Sequence, residues 1–275
     1  MLQDVLIEVK DDLASRIALK YACQLEKSIP FTLQALHVPD LKEYGGPPGG
    51  GWVRNKWEDV VVDDSAGKIA RMVQREFPAC YHASDPKIVS GKREQVIFKE
   101  LSRFSYDFFI HGILHSFDPD RFYQELDSFL FKRLPCPALM VKNLTDPESS
   151  TLIIGTPDKM ELGSPFLSSL LGQLRGDLEL LVCEFDSSAP ETVFLENDPD
   201  LVSEIQSGIM EPADRPARIR TVKGTPQGLA EFVRDRALVI SAVPPVKTPM
   251  ALLLAICPGA ILFCPERKTT GKAKP

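Results

Sequence analysis

The chain has 275 residues, 44% of them hydrophobic and 25% charged, which is the composition of an ordinary globular protein and more length than one doubly wound domain needs. A formal net charge of −6 argues against a nucleic-acid-binding protein, since such a surface needs basic side chains to neutralise phosphates. No run approaches about 18 apolar residues, so we expect no membrane insertion. The six cysteines include no Cys-x-x-Cys pair and mostly lie in apolar stretches, which predicts a cytoplasmic protein with reduced thiols.

Short apolar runs alternate with helical periodicity through the first half of the chain. The runs predict five buried strands, at residues 5–9, 31–38, 87–89, 106–110 and 137–141. Helices are predicted between them, after a cap at Asp11 or Asp12, over about 58–77, around 96–101 and over 120–132. A Gly- and Pro-rich stretch at 45–51 can only be a loop. This alternation predicts a parallel sheet with helices on both faces, because every parallel crossover needs a helix.

The second half of the chain repeats the pattern of the first. Strands are predicted at residues 152–155, 178–183, 217–222, 237–241 and 260–263, with helix starts at Ser164-Pro165 and Thr225-Pro226. Residues 222–240 echo residues 89–110, and 256–262 echo 135–141, which implies that a whole domain was duplicated. We therefore expect two units, residues 1–145 and 150–266, followed by a disordered basic tail at 267–275.

The ordered set of strand and turn motifs is similar to that of the universal stress protein family. Family domains open with a strand such as I-L-V-P-V-D and continue with a strand ending in L-H-V, a turn containing Gly, a strand such as D-L-I-V-M-G and a closing C-P-V-x-V-V strand. The corresponding segments here are residues 5–10, 35–38, 89–91, 107–112 and 136–141. The resemblance covers nearly all of residues 2–143 and is weaker over 151–266. It implies an α/β fold of two tandem doubly wound parallel five-stranded sheets, adenine nucleotide alpha hydrolase-like, each with the strand order 3-2-1-4-5.

The motif by which family members bind ATP departs from its pattern in this chain. ATP-binding members resemble G-x-x-G-(nine residues)-G-S/T after the fourth strand, with an aspartate ending the first, because backbone amides must reach phosphate oxygens without a Cβ in the way. Gly112 matches the first glycine, but the second falls on His115 and the aspartate on Lys10. The Gly-Ser/Thr pair falls on Glu125 and Leu126, and a carboxylate facing the phosphate site would repel phosphate. We therefore expect no cofactor and no ATP binding by the family's mode.

A doubly wound sheet binds ligands at the carboxyl ends of the strands beside its topological switch point, here strands one and four. In the first half, the candidate pocket residues are Lys10, Val38, His111, Gly112 and His115. Lys10 and the two histidines could hold an anion other than ATP, or they could be ordinary strand-end and loop residues. A metal site is not expected, because Gly112 and the preceding strand prevent the helix that would bring the histidines together. In the second half, the matching positions are Pro157 and a glycine-free stretch at 241–245.

The leading hypothesis is a non-enzymatic regulatory or interaction protein of the stress response, with a protein partner that the sequence does not identify. Because dimers of the family often pair their last strands, the resemblance implies a pseudo-dimer within the chain, with residues 138–141 paired with 260–263. Both runs are apolar, and an unpaired apolar edge would be an aggregation hazard. A homodimer of the whole chain stays open. One alternative is a nucleotide-binding switch or weak ATPase with a modified pocket in the first half. Another is an enzyme of the wider adenine-nucleotide α-hydrolase-like group, although residues 10–13 lack the Ser- and Gly-rich phosphate loop expected after the first strand. No G-x-S-x-G nucleophile motif is present in the sequence.

Overall fold

The computed structural model describes residues 3–42, 44–45, 51–76, 84–114, 118–145, 150–155, 170–173, 177–188, 192–195 and 218–264. The first half contains β1 (Gln3–Glu8), α1 (Leu13–Glu26), β2 (Phe31–His37), α2 (Trp52–Glu76), β3 (Lys87–Ile88), α3 (Arg93–Arg103), β4 (Phe108–Gly112), α4 (Pro119–Asp127), a 3-10 turn (Phe131–Arg133) and β5 (Ala138–Val141). The second half contains β6 (Ser150–Gly155), β7 (Asp177–Phe185), β8 (Val193–Leu195), β9 (Arg218–Gly224), α5 (Pro226–Val233), β10 (Leu238–Ala242), α6 (Pro249–Ile256) and β11 (Ala260–Cys264). The sequence predictions for residues 46–50, His115, 146–149, Pro157, Ser164-Pro165 and 267–275 lie outside the described residues.

The eleven strands among the described residues form one sheet, in the order β3-β2-β1-β4-β5-β11-β10-β6-β7-β9-β8. The five strands of the first half run parallel in the order 3-2-1-4-5, and β6, β7, β9, β10 and β11 repeat that order in the second half. The predicted α/β class and strand order are therefore confirmed in both halves. Strand β8 was not predicted; it pairs antiparallel with β9 and extends the second half at the outer edge of the sheet.

The two halves are joined by their last strands. Strand β5 pairs antiparallel with β11, with Met140 opposite Ile261 and Leu139 opposite Leu262. This pairing was expected from the family resemblance, and it makes one continuous sheet out of the two predicted five-stranded sheets. The seam is covered by an aromatic contact, because the Phe263 ring lies 6.1 Å from Phe131 and 6.3 Å from Phe122.

Polar caps and turn residues explain where several helices begin and end. Asp12 is the N-cap of α1 and accepts a hydrogen bond from the Ser15 backbone N–H at 2.8 Å, while Thr225 and Thr248 cap α5 and α6 in the same way. Helix α2 begins at Trp52, directly after Gly51 and six residues before the predicted start. Helix α6 was missed because its residues are almost uniformly apolar and give no helical periodicity.

The alternation of side chains along the strands divides the core into two layers. In β1, Val5 and Ile7 face the layer that contains α1 and α2, whereas Leu6 faces the layer that contains α3 and α4. Glu8 follows Leu6 at the strand period of two, so that the same alternation places this carboxylate in the α3–α4 layer. In the part of the chain that the structure describes, no helix combines the length and apolarity needed to cross a membrane.

Candidate functional site

An open cavity with a volume of about 760 Å³ lies at the carboxyl ends of β1 and β2, a size typical of ligand-binding pockets. Its charged lining includes four basic side chains, those of Lys10, Lys42, Lys68 and Arg93, and three acidic ones, those of Asp11, Asp12 and Asp40. Uncharged parts of the wall come from Val38, Tyr44 and Ser65. The cavity therefore has a mixed charge and a rim position that suits a polar ligand.

Several of the cavity's charges are already engaged with other groups of the protein. Lys10 Nζ lies 3.6 Å from Glu8 Oε1, and Lys68 Nζ lies 2.7 Å from Asp64 Oδ2. Asp12 accepts the hydrogen bond that caps α1. Only part of the cavity's formal charge is therefore available to a ligand.

At the inner wall of the cavity, four charged or titratable side chains form a group that we call the charge cluster: the buried Glu8 and His111 and the partly buried Arg93 and Glu125. Arg93 donates to both carboxylate oxygens of Glu8, with Nη2 2.6 Å from Oε2. His111 Nδ1 lies 2.8 Å from Glu8 Oε2, and His111 Nε2 lies 3.6 Å from Glu125 Oε2. The side chains of Glu8 and His111 are only 3% and 5% exposed, so the cluster is a built feature of the core.

The neighbours of each group determine its protonation. Burial alone would raise the pKa of Glu8, but hydrogen bonds from Arg93 and His111 hold that pKa well below its usual value. Burial alone would lower the pKa of His111, yet the nearby carboxylates of Glu125 and Glu8 raise it by favouring the charged imidazolium. The pKa of Glu125 is likewise lowered by His111 against the effect of burial. The cluster thus favours two carboxylates opposite a guanidinium and an imidazolium, whose formal charges cancel.

The cluster lies at the topological switch point of the first half, because Glu8 ends β1 and His111 is near the end of β4, and these strands are neighbours. Arg93 opens α3, and Glu125 reaches in from α4. Arg93 also lines the open cavity and lies 3.5 Å from His111 Nδ1. It therefore forms the wall between the cavity and the buried histidine.

The structure separates the residues that the sequence placed in one pocket. Lys10 and Val38 line the open cavity. His111 does not line it; strand alternation turns this side chain into the α3–α4 layer, where it stacks on Phe109. Gly112 does not line it either, because α1 crosses directly above it: a Cβ at Gly112 would lie 2.4 Å from the Ala14 carbonyl oxygen. His115 lies outside the described residues.

Sequence reasoning missed two members of the charge cluster, Glu8 and Arg93. Glu8 had a signal, since it is the one charged residue within the apolar run of residues 5–9, and a charge in a buried strand needs a partner. Arg93 had no comparable signal, because a basic residue at the start of a helix is usually solvated. Among the described residues, no group of three or more His, Cys, Asp or Glu side chains could hold a metal ion.

Comparison with known proteins relates the chain to others by fold alone. No protein-family model and no curated protein matches the chain. Among solved structures, a universal stress protein from Archaeoglobus fulgidus DSM 4304 is 10% identical, has a TM-score of 0.66, and is matched over 95% of this chain and 98% of its own. A putative universal stress protein from Pseudomonas aeruginosa UCBPP-PA14 is 14% identical, with a TM-score of 0.56 and coverage of 96% and 93%. A functionally unknown protein from Pseudomonas aeruginosa PAO1 is 13% identical, with a TM-score of 0.52 and coverage of 96% and 92%. Over nearly its full length, the chain has the universal stress protein fold.

Proposed function

We propose that the protein is a non-enzymatic regulatory or interaction protein of the universal-stress-protein type, which acts in the cytoplasmic stress response through a protein partner and does not bind ATP by the family's mode. The proposal takes residues 1–145 and 150–266 as two such units in one chain. The observation that carries it is the charge cluster, which occupies the switch point of the first half with the protein's own side chains.

A phosphate group needs free hydrogen-bond donors and an excess of positive charge at its site. Here the guanidinium of Arg93 is already engaged by both oxygens of Glu8, and the His111 imidazole lies between two carboxylates. A phosphate placed beside His111 would meet Glu125, whose Oε2 is 3.6 Å from His111 Nε2. Binding there would have to displace the partly buried carboxylate of Glu125, which argues against the family's mode.

The surviving glycine is explained without a ligand. Gly112 is the one residue that matches the first glycine of the ATP motif, and its lack of a Cβ is required by the close approach of Ala14 in α1. Its presence therefore does not by itself argue for a phosphate site. The cytoplasmic part of the proposal is supported by the five described cysteines, which form no disulfide bonds with one another.

The first experiment is thermal unfolding of the purified chain with and without millimolar Mg-ATP. A ligand at about a hundred times its dissociation constant stabilises a native protein by about 2.7 kcal/mol, which raises Tm by about 5–10 °C for a chain of this size. We expect no such shift. A clear shift would contradict the proposal and favour the second candidate.

The second candidate is a nucleotide-binding switch or weak ATPase that uses the open cavity of the first half rather than the switch point. The cavity's volume of about 760 Å³ and its basic side chains favour this alternative. If Mg-ATP does stabilise the chain, the variant Lys10→Glu should reduce the shift by replacing a basic lining residue with an acidic one. The variant Lys132→Glu changes an exposed lysine whose partner is Asp127, far along the chain from the cavity lining, and serves as the matched control.

A further inference from the structure

A second cavity, with a volume of about 180 Å³, lies at the carboxyl ends of β6 and β10. Gly155 ends β6 and Ala242 ends β10, and both contribute to its lining, as does Phe185 at the end of β7. Strands β6 and β10 are neighbours and are the first and fourth strands of the second half. The cavity therefore lies at the topological switch point of the second half, the place where doubly wound sheets hold their ligands.

Whereas the open cavity of the first half has a charged lining, the described lining of this cavity is mainly apolar. None of the described residues that line it is charged, and the wall is built mainly by Phe185, Val243, Met250 and three prolines. Its two hydroxyl groups already have partners inside the protein. Ser241 Oγ donates to the Ala242 carbonyl at 3.0 Å; Thr248 Oγ1 donates to the Pro245 carbonyl at 2.8 Å and accepts from the Ala251 N–H. Among the described lining residues, a ligand would be held by apolar contact and a phosphate would find no counter-charge.

The wall is also preorganised. Pro244, Pro245 and Pro249 each have a restricted φ angle, and Thr248 ties the turn between them to the N-terminus of α6. Lys247 has a φ of 62°, the left-handed conformation that non-glycine residues rarely adopt. A turn held in this way loses little conformational freedom when a ligand enters, which is the condition for useful affinity from a small contact area.

The geometry points to a binding site for a small uncharged aromatic or aliphatic molecule, of one to two rings, in the second half of the chain. The size follows from the volume, since an apolar protein cavity of about 150 Å³ accepts benzene. Uncharged character follows from the lining, because burying a charge without a partner is costly. This site is independent of the nucleotide question, which concerns the first half.

Indole is the probe for the experiment, with titration calorimetry and the NMR signal of the Met250 methyl group as the two readouts. We expect saturable binding of indole, with a change in the Met250 methyl signal. Indole-3-acetate, which adds a carboxylate, should bind at least about tenfold more weakly. The absence of saturation below about 1 mM indole, or equally tight binding of the anion, would overturn the proposal.

Two substitutions at one position test the location of the site. Ala242 is only partly buried, so Ala242→Phe can fill the cavity without overpacking the core, and Ala242→Asp places a carboxylate in its lining. Both should weaken indole binding at least about tenfold, and the aspartate variant provides the answer if the phenylalanine variant does not fold. Lys10→Ala, in the other cavity, should leave indole binding unchanged. Retention of indole binding in both Ala242 variants would refute the assignment.

Discussion

Replacing Arg93 with methionine tests whether the charge cluster is a built part of the core. Methionine keeps much of the arginine stem but removes the guanidinium that donates to both oxygens of Glu8. The Glu8 carboxylate would remain 3% exposed with His111 as its main remaining partner. Because a buried carboxylate that loses its partner keeps its desolvation cost, we expect a large loss of stability.

The size of that loss can be worked out from the geometry. Removing one partner of a buried ion pair costs about 3–5 kcal/mol. Arg93 is 25% exposed, and His111 Nδ1 stays 2.8 Å from Glu8, so both screening and the second partner favour the lower end, about 3 kcal/mol. For a chain of this length, that loss corresponds to a decrease in Tm of about 6–12 °C.

Differential scanning calorimetry at pH 7 measures the decrease, with Arg54→Met as the matched control. Arg54 pairs with Glu58 one helical turn away on α2, its side chain is 55% exposed, and such surface pairs contribute about 0.3–0.5 kcal/mol. Adding Glu8→Gln to Arg93→Met should restore part of the loss, because the unpaired buried charge is then removed. Equal decreases in Tm for Arg93→Met and Arg54→Met would refute the reasoning.

Three further predictions concern Gly112, Lys142 and His111. Gly112→Ala should lower the free energy of unfolding by about 1–3 kcal/mol, because the added Cβ would clash with the Ala14 carbonyl. Gly67→Ala has open space around the added Cβ and should not destabilise α2. Equal urea midpoints for the two variants would contradict this. Lys142→Met should lower the free energy of unfolding by about 3 kcal/mol, because the buried Nζ donates to three carbonyls at the end of α6. An unchanged urea midpoint would contradict this and show that water replaces the donor. The raised pKa of His111 stabilises the fold below about pH 6.5, and this contribution disappears as pH rises through the folded-state pKa. The stability lost in His111→Asn should therefore shrink as pH rises above about 6.5, and a difference that stays constant with pH would refute this reasoning.

The fold was largely predictable from the sequence because its signals are local and repeated. Each strand of the first half is an apolar run bounded by turn residues, and the run at 138–141 has a counterpart at 260–263 that shares its pattern. The seam between these two runs was expected from the family resemblance, and their apolar character supported it, since an unpaired apolar edge is an aggregation hazard. Strand β8 escaped prediction because its exposed residues Val193 and Phe194 belong to a strand of only three residues, stabilised mainly by pairing with β9.

The candidate site was less predictable because it depends on which face of a strand each side chain takes. Lys10, Val38 and His111 all follow or end strands at the same rim, so sequence position alone placed them together. Only the register of β1 against β4 shows that His111 turns towards Glu8. The partner that matters most, Arg93, is 85 residues from Glu8 in the sequence, and no local pattern reports a contact at that separation.

The antiparallel pairing of β5 with β11 determines on which rim of the sheet each cavity lies. The strands within each half are parallel, apart from β8, but β5 and β11 run in opposite directions, so the carboxyl ends of the two halves lie at opposite rims of the sheet. The same reversal places the end of β5 beside the start of β11, which is why Lys142, just after β5, reaches the end of α6. Ligands in the two cavities could therefore not touch.

Both free edges of the sheet are formed by short strands. The outer strands are β3, with two residues, and β8, with three, while the longer apolar last strands are covered by each other in the seam. Strand β3 pairs with only two residues of β2, and β8 with only three residues of β9, so each edge strand covers part of its neighbour. Any influence of one cavity on the other would have to cross the seam, where α4 packs against α6 and Lys142 ties β5 to the second half. Lys142 contributes to neither cavity lining, so Lys142→Met is the variant that weakens the connection across the seam without altering the lining of either cavity.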